Sequence, residues 1–192
     1  MTYQYLYLYN TYLENVNSVN HPFLTEWKWL AEDLPLTKID SLEIWNDPTY
    51  AANPDATEQA LKAWDLLLQD GYRIPGIGGS DAHLLPVETY PESDLPSLIG
   101  DPATYVWADE LSGEALKQGV ASGRVFVSRF DYTVDLTVNG GMIGDHYSSN
   151  WNEHIEAACS VQSSSQEQDI KIEWIVDGEM AATTQRHQDT QT

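Results

Sequence analysis

The spacing of apolar residues changes near residue 130, and that change limits the folds open to this chain. Before it, short apolar runs alternate with helix-length segments. After it, the runs follow the two-residue period of strands. The pattern predicts an α/β unit over residues 1–130, an all-β module over 131–180, and a polar tail from 181 that frays.

Within the first part, Tyr3, Tyr5, Tyr7 and Tyr9 alternate as in a strand, and a polar, asparagine-rich stretch runs on to Asn20. Phe23–Leu30 reads as a short helix or an aromatic loop, and Ile39–Trp45 as a buried strand. Asn53-Pro54-Asp55-Ala56-Thr57 is helix-start chemistry, with Asp55 or Thr57 as cap. Ala60, Leu61, Trp64, Leu67 and Leu68 then share a face, and Gly71 closes the helix. A strand over Tyr72–Ile77 follows, then a proline-rich loop over 84–102 and a strand over Ala103–Ala108. Ser112 opens a second helix that Gly123 stops, with Leu111, Ala115, Leu116 and Val120 turned inward, and Val125–Ser128 is a further strand. In the second part, Tyr132–Val138 alternates cleanly into Asn139-Gly140-Gly141, a hairpin signal. His154–Val161 and Ile170–Val176 are two more strands, and Asp177-Gly178 is another turn.

The chemistry concentrates in Ile77-Gly78-Gly79-Ser80-Asp81-Ala82-His83. On extended backbone, residues two apart point to one side, so Asp81 and His83 can reach one ion. Gly78 and Gly79 permit a sharp turn or a close approach just before the pair. His21, before Pro22, and Glu43, at the end of an alternating segment, are further metal-type donors. Taken alone, such a pair is common and more often an aspartate cap and a histidine satisfied at a core edge.

Charge narrows the partners. The chain carries 30 acidic and 9 basic residues, a net charge of -21. No basic stripe exists to displace counterions from phosphates, which argues against nucleic acid, and an anionic membrane surface is disfavoured for the same reason. Solubility or a salty or acidic habitat accounts for the acidity. The single cysteine, Cys159, allows no intrachain disulfide. No apolar run is long enough to span a bilayer and the first residues are no signal peptide, so a cytoplasmic location is the default expectation.

Asn20-His21-Pro22, Leu42-Glu43-Ile44-Trp45-Asn46, Gly78-Gly79-Ser80-Asp81-Ala82-His83 and Gly123-Arg124-Val125-Phe126-Val127-Ser128 resemble, in order and spacing, the later motifs of the PHP (polymerase and histidinol phosphatase) superfamily. The carbaryl-hydrolase-like metallohydrolases are the nearest branch, with a short β-module carrying turns similar to Asn139-Gly140 and Gly144-Asp145. The resemblance implies the C-terminal part of a distorted (β/α)7 barrel followed by that module. It carries His21, Asp81 and His83 onto metal ligands, with Glu43 as a further carboxylate at the metal and Asp81 and His83 as the catalytic pair. Arg124 matches a segment near the site, where it would touch an anionic substrate or serve the strand. The family's opening His-x-His has no counterpart before His21, so an incomplete metal centre and an open barrel are expected, with self-association to cover it.

The implied cofactor is a divalent metal (Zn, Mn or Fe), and the implied substrate a small-molecule phosphate ester, carbamate or carboxylic ester. Cations of this kind lower the pKa of bound water and neutralise charge on a phosphoryl or carbonyl oxygen. A non-catalytic remnant or binding module using Trp27, Trp29 and Trp45, and a plain structural domain, are the competing readings.

Overall fold

The computed structural model describes residues 15–31, 34–85, 87–129, 132–150, 152–163 and 169–186. The tyrosine alternation from Tyr3 to Tyr9 lies outside them. The part that positions the candidate site is a three-stranded parallel sheet, β1 (Ser18–Val19), β2 (Ser41–Asn46) and β3 (Gly76–Gly79), in that spatial order. β2 is the middle strand and is buried along nearly its whole length, as expected of a parallel strand covered on both faces. Helix α1 (Asn53–Gln69) makes the crossover from β2 to β3.

The start of α1 differs from expectation. Neither Asp55 nor Thr57 caps it; the cap position is Ala52, whose side chain makes no hydrogen bond. Pro54 sits in the first turn, where its missing N–H is no loss, and Asp55 complements the helix dipole. Asn53 spends its amide elsewhere, on Asn46 and the Asp47 carbonyl. Gly71 does terminate the helix, in left-handed backbone at φ 87°.

After the loop, β4 (Ala103–Val106) and β5 (Val125–Ser128) pair antiparallel, joined by α2 (Gly113–Ala121). The Ser112 hydroxyl caps α2, accepting the Ala115 N–H at 3.2 Å. Then β6 (Thr133–Val138), β7 (Gly141–Met142) and β8 (Ala157–Gln162) form an antiparallel sheet in the order β7-β6-β8. Asn139 and Gly140, both at positive φ, make its tight turn. β9 (Ile170–Val176) and β10 (Glu179–Arg186) form a hairpin turned at Asp177-Gly178. The polar segment expected to fray from Ala181 therefore continues as strand to Arg186, and 187–192 lie outside the described residues.

The expected portion of a (β/α)7 barrel is not formed. The described strands fall into four separate sheets of two or three strands, and none closes. A parallel barrel needs a crossover helix after each strand. Here the segment from β3 to β4 is a loop, and Thr104 supplies its hydroxyl to β3 in place of a ladder. That hydroxyl accepts the Gly78 N–H at 2.9 Å and donates to the Gly78 carbonyl at 2.7 Å.

The core gathers Val19, Ile39, Leu42, Ile44 and Ile74, with Trp29, Trp64, Leu67 and Val127 packed on it. The helix faces are less covered than their periodicity predicts. Leu61 and Leu68 of α1 are exposed, as are Leu111 and Leu116 around α2, with Leu111 95% accessible. No described helix is long and apolar enough to cross a membrane.

One close contact yields a prediction. Alanine in place of glycine inside a helix ordinarily stabilises by about 1 kcal/mol. At Gly119 a Cβ would lie 2.5 Å from Val106 Cγ1 and 2.7 Å from the Trp107 carbonyl oxygen. Overpacking of this kind costs about 1–3 kcal/mol and here it outweighs the propensity gain. Gly119→Ala is expected to lower the urea midpoint, and a raised midpoint would mean that α2 can slide off β4.

Candidate functional site

The three parallel strands deliver their donors at one end of the sheet. His21 follows β1, Glu43 and Asn46 lie on β2, and Asp81 and His83 follow β3. The carboxyl end of parallel strands is where open α/β sheets bind ligands, because the chain leaves each strand there as a free loop. A cavity of about 370 Å³ opens at this end, lined among others by His21, Asp47, Asn53, Asp81, His83 and Tyr90.

Two of these residues stand in unusual backbone. Among the described residues four non-glycines have positive φ: His21, Asp81, Asn139 and Asp177. The last two sit in hairpin turns, where such angles are routine. His21 (φ 35°) and Asp81 (φ 42°) do not. Left-handed backbone outside glycine costs on the order of 1–3 kcal/mol and collects at functional sites.

Both histidines are oriented through Nδ1. In His83 this atom lies 2.5 Å from the Asp81 carbonyl oxygen, and in His21 it lies 3.2 Å from the Trp27 carbonyl oxygen. A carbonyl only accepts, so each Nδ1 carries a hydrogen, and in the neutral ring the lone pair is then on Nε2. Tethering of one ring nitrogen to fix the other as a donor is how proteins prepare a metal-binding or basic imidazole.

Glu43 lies beneath, only 5% exposed. One oxygen, Oε2, accepts the His21 backbone N–H at 2.6 Å and the Asn46 amide at 3.2 Å. Burial pushes the Glu43 carboxyl above its ordinary value, against the opposing pull of those two hydrogen bonds. The same Asn46 nitrogen lies 3.4 Å from Asp81 Oδ2, so one amide spans the two carboxylates. Asn53 holds Asn46 from behind, donating to its Oδ1 at 2.7 Å. The Asn53 Oδ1 itself is buried and has no partner among the described residues.

The sequence reading missed Asn46 and Asn53 as positioning groups, and missed Asp47 altogether. Asp47 is 1% exposed. Its Oδ1 accepts from the Thr49 N–H and hydroxyl, and its Oδ2 accepts the Ser97 hydroxyl at 2.5 Å, which ties the 84–102 loop to the end of β2. Asp-x-Thr after a strand was a visible turn signal. Tyr90 on that loop meets Tyr50 edge to face, 5.2 Å between centroids, and completes the cavity wall. Tyr90 is held above its ordinary pKa, first by burial and then by Asp47 and Asp81.

Arg124 is placed elsewhere. It lines a different cavity, below β3 and β5, with its guanidinium 3.7 Å from Asp145. His146 lines that cavity as well, and His154 is exposed.

The donors suit a divalent cation in kind: His21, Asp81 and His83 line one cavity, and the buried Glu43 carboxyl lies beneath His21. Among the described residues no group of three or more such side chains converges closely enough to hold an ion as it stands. Comparison with protein-family models, curated proteins and solved structures found no match to this chain.

Proposed function

We propose that the chain is a divalent-metal-dependent hydrolase of the PHP class, acting on a phosphate ester or on a carbamic or carboxylic ester. The observation that carries this reading is the pair of histidines, each fixed through Nδ1 with Nε2 free, on the same cavity as Asp81 and above buried Glu43. His21, Glu43, Asp81 and His83 would hold the ion. When bound, it supplies a hydroxide near neutral pH and charge stabilisation at the reacting oxygen. Asn46 keeps the Glu43 and Asp81 carboxylates in register, and Asn53 keeps Asn46 in place. The Tyr50–Tyr90 pair and Leu24 give the cavity an apolar wall against which an ester substituent packs.

A non-catalytic binding module is the second reading, favoured by the spread of the four donors. Elemental mass spectrometry on the purified chain, with a phosphate-ester and carboxylate-ester screen, separates the two. Near-stoichiometric Mn, Fe or Zn that is lost in Asp81→Ala/His83→Ala, with hydrolysis lost alongside, is the expected result. Metal without hydrolysis selects the binding module. No metal after reconstitution removes the hydrolase reading and leaves the non-catalytic one.

A further inference from the structure

A second, larger cavity lies away from the histidines, towards the opposite end of the parallel sheet, and nothing in the reading above uses it. It encloses about 720 Å³ between α1, β3, β5 and the β-module. Ile44, Trp64, Phe126, Leu136 and Ile143 make its walls apolar, and Arg73 and Arg124 both line it. That volume falls within the range that takes a small molecule rather than a water or two.

The charge at this cavity opposes the charge of the chain. Only nine lysines and arginines stand against thirty acidic residues, yet two arginines, exposed Arg73 and half-buried Arg124, line this cavity with a single carboxylate, Asp145. Other cations are already committed: Lys62 to Glu58, Lys117 to Glu114, Arg129 to Asp101, Lys171 to Glu173. Arg73 has no ion-pair partner among the described residues. Arg124 approaches Asp145 only to 3.7 Å, beyond hydrogen-bond range, while Asp145 Oδ2 is occupied by the Met142 N–H at 2.9 Å. Two under-committed guanidiniums beside an apolar chamber match a ligand with one anionic end and one apolar end.

We propose that this cavity binds a small amphipathic monocarboxylate, its chain or ring among Trp64, Phe126 and Leu136 and its carboxylate against Arg73 and Arg124. The proposal does not depend on the metal site. Isothermal titration of the full chain with decanoate at low salt tests it, using 1-decanol as the neutral counterpart of similar length.

The expected result is one saturable site for decanoate, with decanol weaker by about tenfold or more. Arg73→Gln/Arg124→Gln should lose a similar factor, and Arg73→Lys/Arg124→Lys should retain most of the affinity. Asp81→Ala/His83→Ala should bind decanoate as the unaltered chain does. Equal binding of decanol, or indifference to the glutamine variant in a protein with unchanged circular dichroism, overturns the proposal. Absence of saturable decanoate binding also overturns it, and would mean that the cavity is closed by another part of the chain or by a second copy. Should the glutamine variant not fold, the comparison of acid with alcohol on the unaltered chain decides alone.

Discussion

Asp47→Ala is expected to cost about 2–4 kcal/mol in urea denaturation, because three buried neutral donors lose their acceptor. Asp47 is 1% exposed and makes no ion pair within 4.0 Å among the described residues, so its carboxyl group is sustained by donors: the Thr49 N–H, the Thr49 hydroxyl and the Ser97 hydroxyl. Alanine leaves all three facing a void, and each buried unsatisfied donor costs about 1–3 kcal/mol, though not additively. Asp47→Asn keeps the shape but turns an N–H towards at least one donor, so a loss of about 1–2 kcal/mol is expected. The damage should be local in the first instance. Ser97 is the loop residue that Asp47 holds, so limited proteolysis should cut within 84–96 in the alanine variant well before global unfolding. A variant as stable and as resistant as the unaltered chain would show that Ser80, bonded to the Gly100 N–H, and the Arg129–Asp101 pair hold the loop without Asp47.

How far the sequence told this in advance depends on the range of the interaction. The single crossover, β2 to α1 to β3, was legible because its signals are local: a buried run, an amphipathic helix, a glycine stop. The Gly78-Gly79 pair, expected to allow a turn or a close approach to a ligand, instead lies within β3. A Cβ on Gly78 would lie 2.5 Å from Val127 Cγ1 and 2.8 Å from the Trp45 carbonyl oxygen, so β3 threads a gap that only glycine fits. His21, Glu43, Asp81 and His83 were singled out separately, and the parallel sheet brings them to one end. The barrel expected from the resemblance is not formed, and the motifs could not show this, because closure depends on pairing between distant strands that no window of residues reports. Arg124, expected either to touch an anionic substrate or to serve the strand, precedes β5 and lines the cavity away from the histidines. Periodicity marked the face of α1 that carries Leu61 and Leu68. It could not say whether anything covers that face, and both side chains are exposed. Asp47 was overlooked because its partner Ser97 is fifty residues away, although its Asx turn to Thr49 was in plain view.

Glu43→Gln should make the metal-free protein more stable at neutral pH while weakening any bound metal by about tenfold or more. Glu43 is held above its ordinary 4.5 chiefly by burial. The folded chain therefore binds this proton more tightly than the unfolded chain does. Its contribution to stability is complete below the unfolded value and is lost as pH rises through the folded one. In chelator, the unaltered chain should lose stability relative to Glu43→Gln as pH climbs above 4.5, and the gap should level off once Glu43 is ionised. A divalent cation reverses the sign, because an adjacent positive charge favours the carboxylate that burial disfavours. With saturating Mn or Zn the unaltered chain should overtake the glutamine variant above that window. Melting curves across pH, in chelator and in metal, read both effects on the same pair of proteins. Parallel curves in chelator would mean that the His21 N–H and the Asn46 amide already compensate the buried charge. Divergence in chelator without a crossover in metal would leave Glu43 as a desolvated structural acid. Divergence followed by crossover is the outcome expected of a carboxylate that burdens the fold when alone and is stabilised by its ion.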